Sequence, residues 1–305
     1  MKAEKKLIVI GGPTASGKTS LSIKLAQHFD CPIISADSRQ FYKEMEIGTA
    51  KPDKTELSSA KHYLINSLSI KEKYTVGDYE KDALNLCNRL FKEHNELILV
   101  GGSGLFIDAL TEGLNEFPKI NEEAKESLHQ KYAEEGLDYL QRTLKEMDPV
   151  YYEEVDLNNP VRILRALEVC LSCDKPFSSF RGKVKKPRPF KSYYFALDWD
   201  RDILYNRINQ RVDKMIDLGQ IEEAKGLYPY RDYTALQTVG YQELFDYFDG
   251  TIRLDEAIEL IKRNSRRYAK RQMTWIRREN KYNLLQTNLL DYEKRAVQMI
   301  LEKLT

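Results

Sequence analysis

The chain has 305 residues, 42% of them hydrophobic, with 48 lysines and arginines against 47 aspartates and glutamates. That length fits one large or two moderate domains, and a net charge of +1 by itself predicts no polyanionic partner. No apolar run approaches the roughly 20 residues of a membrane span, and the N-terminal stretch lacks the layout of a signal peptide. We therefore expect a cytoplasmic protein without a membrane partner.

The first predicted strand, 7–10, leads into the most informative motif of the chain. The motif G-x-x-x-x-G-K-T covers Gly12–Thr19, and helical spacing follows over 20–27. Strand, glycine loop and helix are the context of a P-loop, in which backbone N–H groups cradle a phosphate at a helix N-terminus. Lys18 would reach the outer phosphates, and the Thr19 hydroxyl would hold Mg²⁺. The pattern predicts a polyphosphate or diphosphate ligand and leaves its chemistry open.

Three further predicted strands each end in polar or glycine-rich residues. The strand 32–36 is followed by Asp37, the strand 96–100 by Gly101–Gly104, and the strand 192–197 by Asp198, Asp200 and Arg201. Short apolar runs beside helical sequence are typical of buried parallel strands, whose carboxyl ends bind ligands. We predict an α/β fold: a P-loop nucleoside-kinase-like parallel sheet flanked by helices, with a helical insertion domain and a helical C-terminal region.

Two interpretations of Asp37 are open from the sequence. Its place beside the P-loop makes it a candidate general base or metal ligand, whereas Gln40 three residues later fits a capping box with Asp37 as a helix N-cap. Ser103 is a candidate hydrogen-bond donor to a phosphate or leaving group. The third strand lacks the aspartate with which a P-loop ATPase usually helps to hold Mg²⁺, and Asp37 or Asp198 could substitute for it.

The segment between the third and fourth predicted strands has no strand signal. Residues 122–147 and 160–172 have helical periodicity, so we predict a helical insertion domain over 116–187 in a core formed by 1–115 and 188–305. Helical periodicity resumes after the fourth strand, at 202–218, 221–227, 254–278 and 290–304.

A basic segment lies in the predicted C-terminal helices. Lys262–Lys281 contains nine lysines or arginines and one acid, interleaved with Tyr268 and Trp275. Arginine binds phosphate bidentately and aromatic rings stack on unpaired bases, which favours RNA; the alternative is an amphipathic helix with both aromatic residues in its core face. Arg162 and Arg165, on one helical face, could likewise pair with neighbouring acids or contact a phosphate backbone.

Eight motifs in order together resemble the tRNA dimethylallyltransferases, also called isopentenyl-tRNA transferases. They are GPTASGKT (12–19), DSRQFY (37–42), GTAKP (48–52), GGSGLF (101–106), NPVRILRALE (159–168), RVDKMIDLG (211–219), VGYQE (239–243) and YAKRQMTWIR (268–277). The resemblance covers most of the chain. The motifs DSxQ, GTAKP and KRQ-T-W are highly specific in combination.

The resemblance implies transfer of a dimethylallyl group from dimethylallyl diphosphate to N6 of the adenosine 3′-adjacent to the anticodon. Asp37 matches the family's general base, and Ser103 stands where threonine is usual. Lys18 and Arg211, with Arg207 as second choice for the arginine, would stabilise the departing diphosphate. The implied cofactor is Mg²⁺ at Thr19. The implied partners are the donor and the tRNA anticodon stem-loop, and nothing demands more than a monomer.

The resemblance also implies two sets of binding residues. The diphosphate-binding residues are Gly12, Pro13, Thr14, Ala15, Ser16, Gly17, Lys18 and Thr19. The tRNA-binding residues are Asp37, Ser38, Arg39, Gln40, Ser103, Val161, Arg162, Ile163, Leu164, Arg165, Gln237, Thr238, Val239, Gly240, Tyr241, Gln242, Lys270, Arg271, Gln272, Met273, Thr274, Trp275, Ile276 and Arg277. The target base must be flipped out of its stack, and Ser38 and Gln40 would read or hold it. Gln242 stands where lysine is usual and lacks its charge.

Two other classes of function compete with this one. A P-loop small-molecule or nucleotide kinase shares the sheet, the loop and a helical lid, but it does not explain the basic, aromatic C-terminal segment. A non-catalytic RNA-binding protein with a relic P-loop would leave Asp37 as only a cap.

Overall fold

The computed structural model describes residues 4–182, 186–287 and 291–304. They divide into a core unit, formed by the residues up to Glu112 and those from Pro187 onward, and an insertion unit, Gly113–Lys186. The prediction that 116–187 is a separate domain stays a prediction. Within the described ranges, no helix has both the length and the apolar character needed to cross a membrane.

A parallel sheet forms the centre of the core unit, as predicted. Its strands are β1 (Lys6–Gly11), β2 (Ile33–Ser35), β3 (His62–Tyr63), β4 (Glu96–Val100), β5 (Lys191–Asp198) and β6 (Asn283–Gln286). They lie in the order β3-β2-β4-β1-β5-β6, and every neighbouring pair is parallel. In the central strand, Ile8 lies opposite Ile98 on one side and Tyr193 on the other. The carboxyl ends of β1, β2, β4 and β5 therefore meet at one edge.

Helices account for most of the remaining chain. They are α1 (Lys18–Phe29), α2 (Lys54–Ser59), α3 (Val76–Leu90), α4 (Gly104–Thr111), α5 (Glu122–Glu135), α6 (Leu137–Met147), α7 (Pro149–Glu154), α8 (Pro160–Cys173), α9 (Arg201–Asp217), α10 (Gln220–Leu227), α11 (Gln242–Phe248), α12 (Leu254–Arg278) and α13 (Tyr292–Leu304). Short 3₁₀ helices occur at Phe177–Phe180, Tyr228–Tyr230 and Thr234–Leu236. Helices α5–α8 belong to the insertion unit and the others to the core unit.

The two faces of the sheet are covered by different helices. Leu7 and Val9 of β1 belong to a hydrophobic cluster with residues of α3 and α4, whereas Ile8 and Ile10 belong to a cluster with residues of α1 and α13. Successive side chains of a strand point to opposite faces, so a strand covered on both faces is apolar at every position. This explains the uninterrupted apolar run before the P-loop.

The insertion unit has its own hydrophobic core. Leu140 and Leu144 of α6 pack in one cluster with Ile163 and Leu167 of α8. The buried carboxylate of Asp148 is satisfied locally, because it accepts hydrogen bonds from the Ser178 backbone N–H and hydroxyl and from the Tyr151 N–H. A buried charge with several donors is stable where an unpaired one is not.

Several predicted boundaries need correction. The edge strands β3 and β6 were not predicted, because one has only two residues and the other follows a long basic helix. The helical stretch 122–147 is two helices, since Gly136 has φ +76° and ends the first one. The predicted helix at 290–304 begins at Tyr292 among the described residues, and residue 290 lies outside them.

Candidate active site

The P-loop connects β1 to α1 at the carboxyl edge of the sheet. Helix α1 begins at Lys18, directly after Gly17, whose φ of +95° lies in the left-handed region that favours glycine. A Cβ atom at Gly17 would also lie 2.6 Å from the Tyr292 hydroxyl. The first backbone N–H groups of α1 are free of intrahelical partners and face the loop, which makes an anion site. The Ser16 Oγ is buried there without a hydrogen-bond partner among the described residues.

Lys18 is held against its own loop. Its Nζ donates hydrogen bonds to the carbonyl oxygens of Pro13 at 2.7 Å and Gly12 at 3.1 Å. The pKa of Lys18 is lowered to about 8, mainly by burial and also by the neighbouring positive charge of Arg211, whereas Asp37 acts in the opposite direction. A cation whose charge is disfavoured in this way gains most from a bound polyanion.

The outer side of the P-loop is fixed by two side chains that follow β5. Trp199 Nε1 donates to the Ser16 carbonyl at 2.8 Å, and Arg207 Nε donates to the Ala15 carbonyl at 2.9 Å. The Arg207 guanidinium lies 4.4 Å from the centre of the Trp199 ring, which is a cation–π distance. These bonds satisfy the two carbonyl groups and hold the loop backbone in place. Arg207, predicted as second choice for binding the diphosphate, supports the loop backbone through its Nε.

Asp37 follows β2 in a turn, which excludes one of the two interpretations of this residue. Its Oδ1 accepts a hydrogen bond from the Arg39 backbone N–H at 2.9 Å, and no helix begins at this point. The Gln40 amide points elsewhere and donates to the carbonyl groups of Thr49 and Ala50 at 3.4 Å. The hypothesis of a helix N-cap with a capping box at Gln40 is therefore wrong.

Arg211 of α9 completes a group of charges beside the P-loop. Burial lowers the pKa of Arg211, and the negative charges of Asp37 and Glu56 oppose that shift. In the described ranges, no residue forms a hydrogen bond or ion pair with its guanidinium. The structure thus brings Lys18, Asp37 and Arg211 within electrostatic reach of one another, although they are far apart in sequence. Two positive groups and one carboxylate around an anion loop suit a reaction in which a phosphate-type group leaves and a proton is taken up.

The loop after β4 has no room for the aspartate of an ATPase. A Cβ atom at Gly101 would lie 2.3 Å from the Ala36 carbonyl oxygen, so any side chain there would collide with backbone. Ser103 is the N-cap of α4, but its hydroxyl makes no cap hydrogen bond. The hydroxyl is therefore available to a ligand at the positive end of the α4 dipole.

Helix α12 carries the basic segment and has two distinct faces. Gln272, Met273 and Ile276 are buried and Trp275 is partly buried. The remaining predicted tRNA-binding residues of this helix are exposed: Lys270, Arg271, Thr274 and Arg277. Tyr268 is 38% exposed, so the alternative that places it in the core face is wrong for Tyr268. Only the exposed side chains can contact a polyanion directly.

The segment 237–242 is tied to the Asp37 turn by Arg39. The Arg39 guanidinium donates to the carbonyl groups of Thr234 and Ala235 at 2.9 Å and of Gln237 at 3.2 Å. Burial lowers the pKa of Arg39. The Arg39 guanidinium thus holds the protein backbone beside the candidate site, and its binding to tRNA stays a prediction.

The remaining predicted tRNA-binding residues in this part of the core unit are mixed in exposure. Gln237 and Gln242 are exposed and joined by a hydrogen bond of 2.8 Å. Ser38, Gln40, Thr238 and Val239 are partly buried, and Gly240 and Tyr241 are buried. The buried members shape the surface that the exposed ones present.

Glu223 was not predicted as a functional residue, yet it organises the loop that contains the GTAKP motif. Its carboxylate accepts hydrogen bonds from the backbone N–H groups of Glu46, Ile47 and Gly48 at 2.7–2.9 Å. The Tyr241 hydroxyl donates to the same carboxylate at 2.6 Å. No local sequence signal marks Glu223, because its backbone partners lie about 175 residues earlier in the chain.

The predicted tRNA-binding stretch Val161–Arg165 begins α8 of the insertion unit. Val161, Arg162 and Arg165 are exposed, whereas Ile163 is buried and Leu164 partly buried. Arg165 pairs with Glu168 at 3.6 Å, as one of the two interpretations expects. The Arg165 side chain is 46% exposed, so its charge stays accessible to another anion.

Comparisons with known proteins agree on one family. A family model described as IPP transferase matches residues 40–279. A tRNA dimethylallyltransferase from Christiangramia forsetii is 55% identical over 273 residues, which cover 90% of each chain. A protein of the same name from Flavobacterium johnsoniae is 52% identical over 280 residues, covering 90% of this chain and 91% of the relative.

Solved structures are similar over nearly the whole chain. The full-length tRNA isopentenylpyrophosphate transferase of Bacillus halodurans is 36% identical and has a TM-score of 0.74, with 99% of this chain and 97% of that chain covered. A eukaryotic dimethylallyltransferase captured acting on tRNA is 28% identical, with a TM-score of 0.83 over 97% of this chain and 78% of that chain. The similarity therefore includes the P-loop, the Asp37 turn and α12.

Proposed function

The chain belongs to the IPP transferase family, and we propose that it transfers a dimethylallyl group from dimethylallyl diphosphate to N6 of the adenosine 3′-adjacent to the anticodon in tRNA. The observation that carries the proposal is the grouping of Lys18, Asp37 and Arg211 beside the P-loop. A relative acting on tRNA, similar over 97% of this chain, supports the choice of acceptor.

At the donor end, the P-loop holds the diphosphate. The residues proposed to bind it are the loop Gly12–Thr19 with Lys18 and Arg211. As the bond between C1 of the dimethylallyl group and the diphosphate oxygen breaks, both electrons stay on the diphosphate. Lys18, Arg211 and the backbone N–H groups at the start of α1 stabilise the charge that develops there. The free hydroxyl of Ser103 adds a hydrogen bond to the leaving group.

At the acceptor end, Asp37 is the general base. The N6 lone pair forms the new bond to C1, and the Asp37 carboxylate takes the proton that N6 loses. Its Oδ1 already accepts the Arg39 N–H, which fixes the orientation of the carboxylate. The adenine must leave its stack to reach this point, and the Asp37 turn with Ser38 and Gln40 forms the proposed base site.

The side chains proposed to contact RNA are exposed and polar or basic. In the core unit they are Gln237 and Gln242 before and in α11, and Lys270, Arg271, Thr274 and Arg277 of α12. In the insertion unit they are Arg162 and Arg165 of α8. Arginine and lysine bind the phosphate backbone, which supplies most of the affinity of such interfaces.

A divalent cation fits the donor site. The Thr19 hydroxyl is a hard oxygen ligand in the first turn of α1, and Mg²⁺ usually takes one or two protein oxygens together with phosphate oxygens and water. No group of three or more His, Cys, Asp or Glu side chains that could hold a metal occurs among the described residues. We propose that the Thr19 hydroxyl would hold Mg²⁺ together with the diphosphate, and that the ion would neutralise charge on the leaving group.

The experiment that tests the function uses labelled dimethylallyl diphosphate, Mg²⁺ and unmodified tRNA. Label in the tRNA, lost when the target adenosine is replaced by guanosine, supports the proposal, whereas tRNA without label overturns it. ATP with candidate acceptors serves as the kinase control and should release no ADP. We further propose that the protein works in the cytoplasm and that it is a monomer. Sedimentation with and without tRNA would test the oligomeric state.

A further inference from the structure

Gln272 joins two loops of the candidate site through one side-chain amide. Its Oε1 accepts a hydrogen bond from the Thr14 backbone N–H at 2.9 Å, and its Nε2 donates to the Gly102 carbonyl at 2.8 Å. The orientation of the amide follows from its partners, since a backbone N–H can only donate and a carbonyl can only accept. One residue of α12 thus bridges the P-loop and the loop that leads to Ser103.

The glycines of the second loop are what let α12 come this close. A Cβ atom at Gly102 would lie 2.2 Å from Gln272 Nε2, and one at Gly104 would lie 2.2 Å from the Trp275 ring. Both distances are far below ordinary contact, so a side chain at position 104 would push against the Trp275 ring, and one at position 102 would displace the Gln272 amide. The register of α12 along the loop is therefore fixed by contacts on both sides of Ser103.

The position of Gln272 argues against direct contact with RNA. The residue is only 7% exposed, and both polar groups of its side chain are already in hydrogen bonds. The preceding residue, Arg271, is exposed on the other side of the same helix turn. Helix α12 therefore exposes the charge of Arg271 to solvent and, at the next residue, holds the loops 12–19 and 101–104.

We propose that Gln272 is a positioning residue that holds loops 12–19 and 101–104 in register with α12, so that RNA on the exposed face of α12 and diphosphate in the P-loop strengthen each other's binding. This inference rests on the proposed function, because it takes α12 as an RNA surface. Only an amide of this length both accepts and donates here. Glutamate places a second oxygen against the Gly102 carbonyl. Methionine has a side chain of nearly equal length but forms neither hydrogen bond.

The test measures the affinity of the full chain for inorganic diphosphate with Mg²⁺ by calorimetry. Each titration is made without RNA and with a saturating synthetic anticodon stem-loop that has an unmodified adenosine. The ratio of the two dissociation constants is the coupling factor, and by linkage RNA affinity must change by the same factor. Gln272→Met and Gln272→Glu are compared with wild type. Gln298→Met is the matched control, since this exposed glutamine of α13 donates a hydrogen bond to Glu302 of its own helix.

We expect a coupling factor above about fivefold, the lower end of ordinary coupling, in wild type and in Gln298→Met, and a factor near one in both Gln272 variants. RNA affinity without diphosphate should stay within about twofold of wild type in the variants, because the exposed face of α12 is unchanged. If methionine prevents folding, Gln272→Asn replaces it, since its shorter amide cannot span both partners.

A wild-type coupling factor of one overturns the inference, as does a Gln272 variant that keeps the wild-type factor. An RNA affinity that falls equally with and without diphosphate would make Gln272 an RNA contact and also overturn it. The proposed function is judged separately by transfer of label to tRNA. Label transfer together with a coupling factor of one would contradict the proposed role of Gln272 and leave the proposed function supported.

Discussion

The Tyr241 hydroxyl donates a hydrogen bond of 2.6 Å to Glu223 Oε1, the same oxygen that accepts the Gly48 backbone N–H. The tyrosine ring also lies against Gly48, where a Cβ atom would come within 2.6 Å of it. The motifs GTAKP and VGYQE are therefore joined through one carboxylate between them. Arg39 also ties the Asp37 turn to Thr234, Ala235 and Gln237, so the candidate base is anchored to the segment that precedes VGYQE.

Tyr241→Phe should lower the free energy of unfolding by about 1.5–3 kcal/mol, the usual contribution of a hydrogen bond to a charged group. The ring remains buried, so only the hydroxyl is lost. Urea unfolding measures the change, and Tyr247→Phe is the control, since no described residue bonds to the Tyr247 hydroxyl. Equal unfolding midpoints for the two variants would contradict the role of the Tyr241 hydroxyl.

Gly104→Ala should destabilise the protein by about 1–3 kcal/mol through overpacking against Trp275. The matched control is Gly226→Ala in α10, where the added Cβ meets nothing within 4 Å. Alanine is the better helix former, so that control should gain about 0.5–1 kcal/mol. Thermal unfolding of both variants decides, and a stabilised Gly104→Ala would mean that α12 does not pack on this loop.

Asp37→Asn should lower the single-turnover rate of transfer by about 10²–10⁴-fold, the usual contribution of a general base. The amide oxygen can still accept the Arg39 N–H, so the turn should persist. RNA affinity, measured by filter binding, should stay within a few-fold of wild type. Transfer at the wild-type rate would leave Asp37 with a structural role only.

The affinity for diphosphate should fall as the pH rises above about 8, because Lys18, whose pKa is lowered to about 8, then loses its proton. Calorimetric titrations from pH 6.5 to 9.5 would show the break, with the ligand's own titration taken from the Lys18→Met variant. That variant should bind weakly and lack the break. Lys51→Met is the control, because burial lowers the pKa of this second lysine to about 8 as well. A break that disappears with Lys51 instead would contradict the prediction.

The same shift has a consequence for stability. The folded-state pKa of Lys18 lies below its ordinary value of 10.5, so its charged form is disfavoured in the folded protein. The resulting penalty is full below about pH 8 and disappears as the pH rises towards 10.5, so this group makes the protein more stable over that window. Lys18→Met should remove this contribution, so that between pH 8 and 10 the urea midpoint of the variant rises less than that of wild type.

Arg271→Ala should weaken RNA binding and reduce the slope of log affinity against log salt by about 0.7–0.9, which corresponds to one phosphate contact. Arg253→Ala is the control, since this exposed arginine lies before the other end of α12 and pairs with Asp255. Its salt slope should equal that of wild type. An unchanged slope for Arg271→Ala would mean that the basic face of α12 faces solvent and makes no contact with RNA phosphates there.

Local patterns were sufficient for much of the fold. The strand before Gly12, the P-loop, the strand Glu96–Val100 and the full length of α12 were predicted correctly, because each depends on residues close together in sequence. The predicted function was also correct at the level of family, since the motifs are specific in combination. The edge strands and the break at Gly136 were missed, because short or interrupted elements have little periodicity.

The sequence by itself determined a P-loop, the charged groups Lys18, Asp37 and Arg211 as site candidates, and a helix with basic and apolar faces. Only the tertiary structure decided which polar side chains hold the backbone of the loops around the candidate site. Arg39 and Gln272 looked like RNA contacts, yet both bond to backbone atoms, and Glu223 had no signal at all. The physical reason is that these bonds join residues about 175–260 positions apart, and a polar side chain is satisfied by whatever the fold brings beside it.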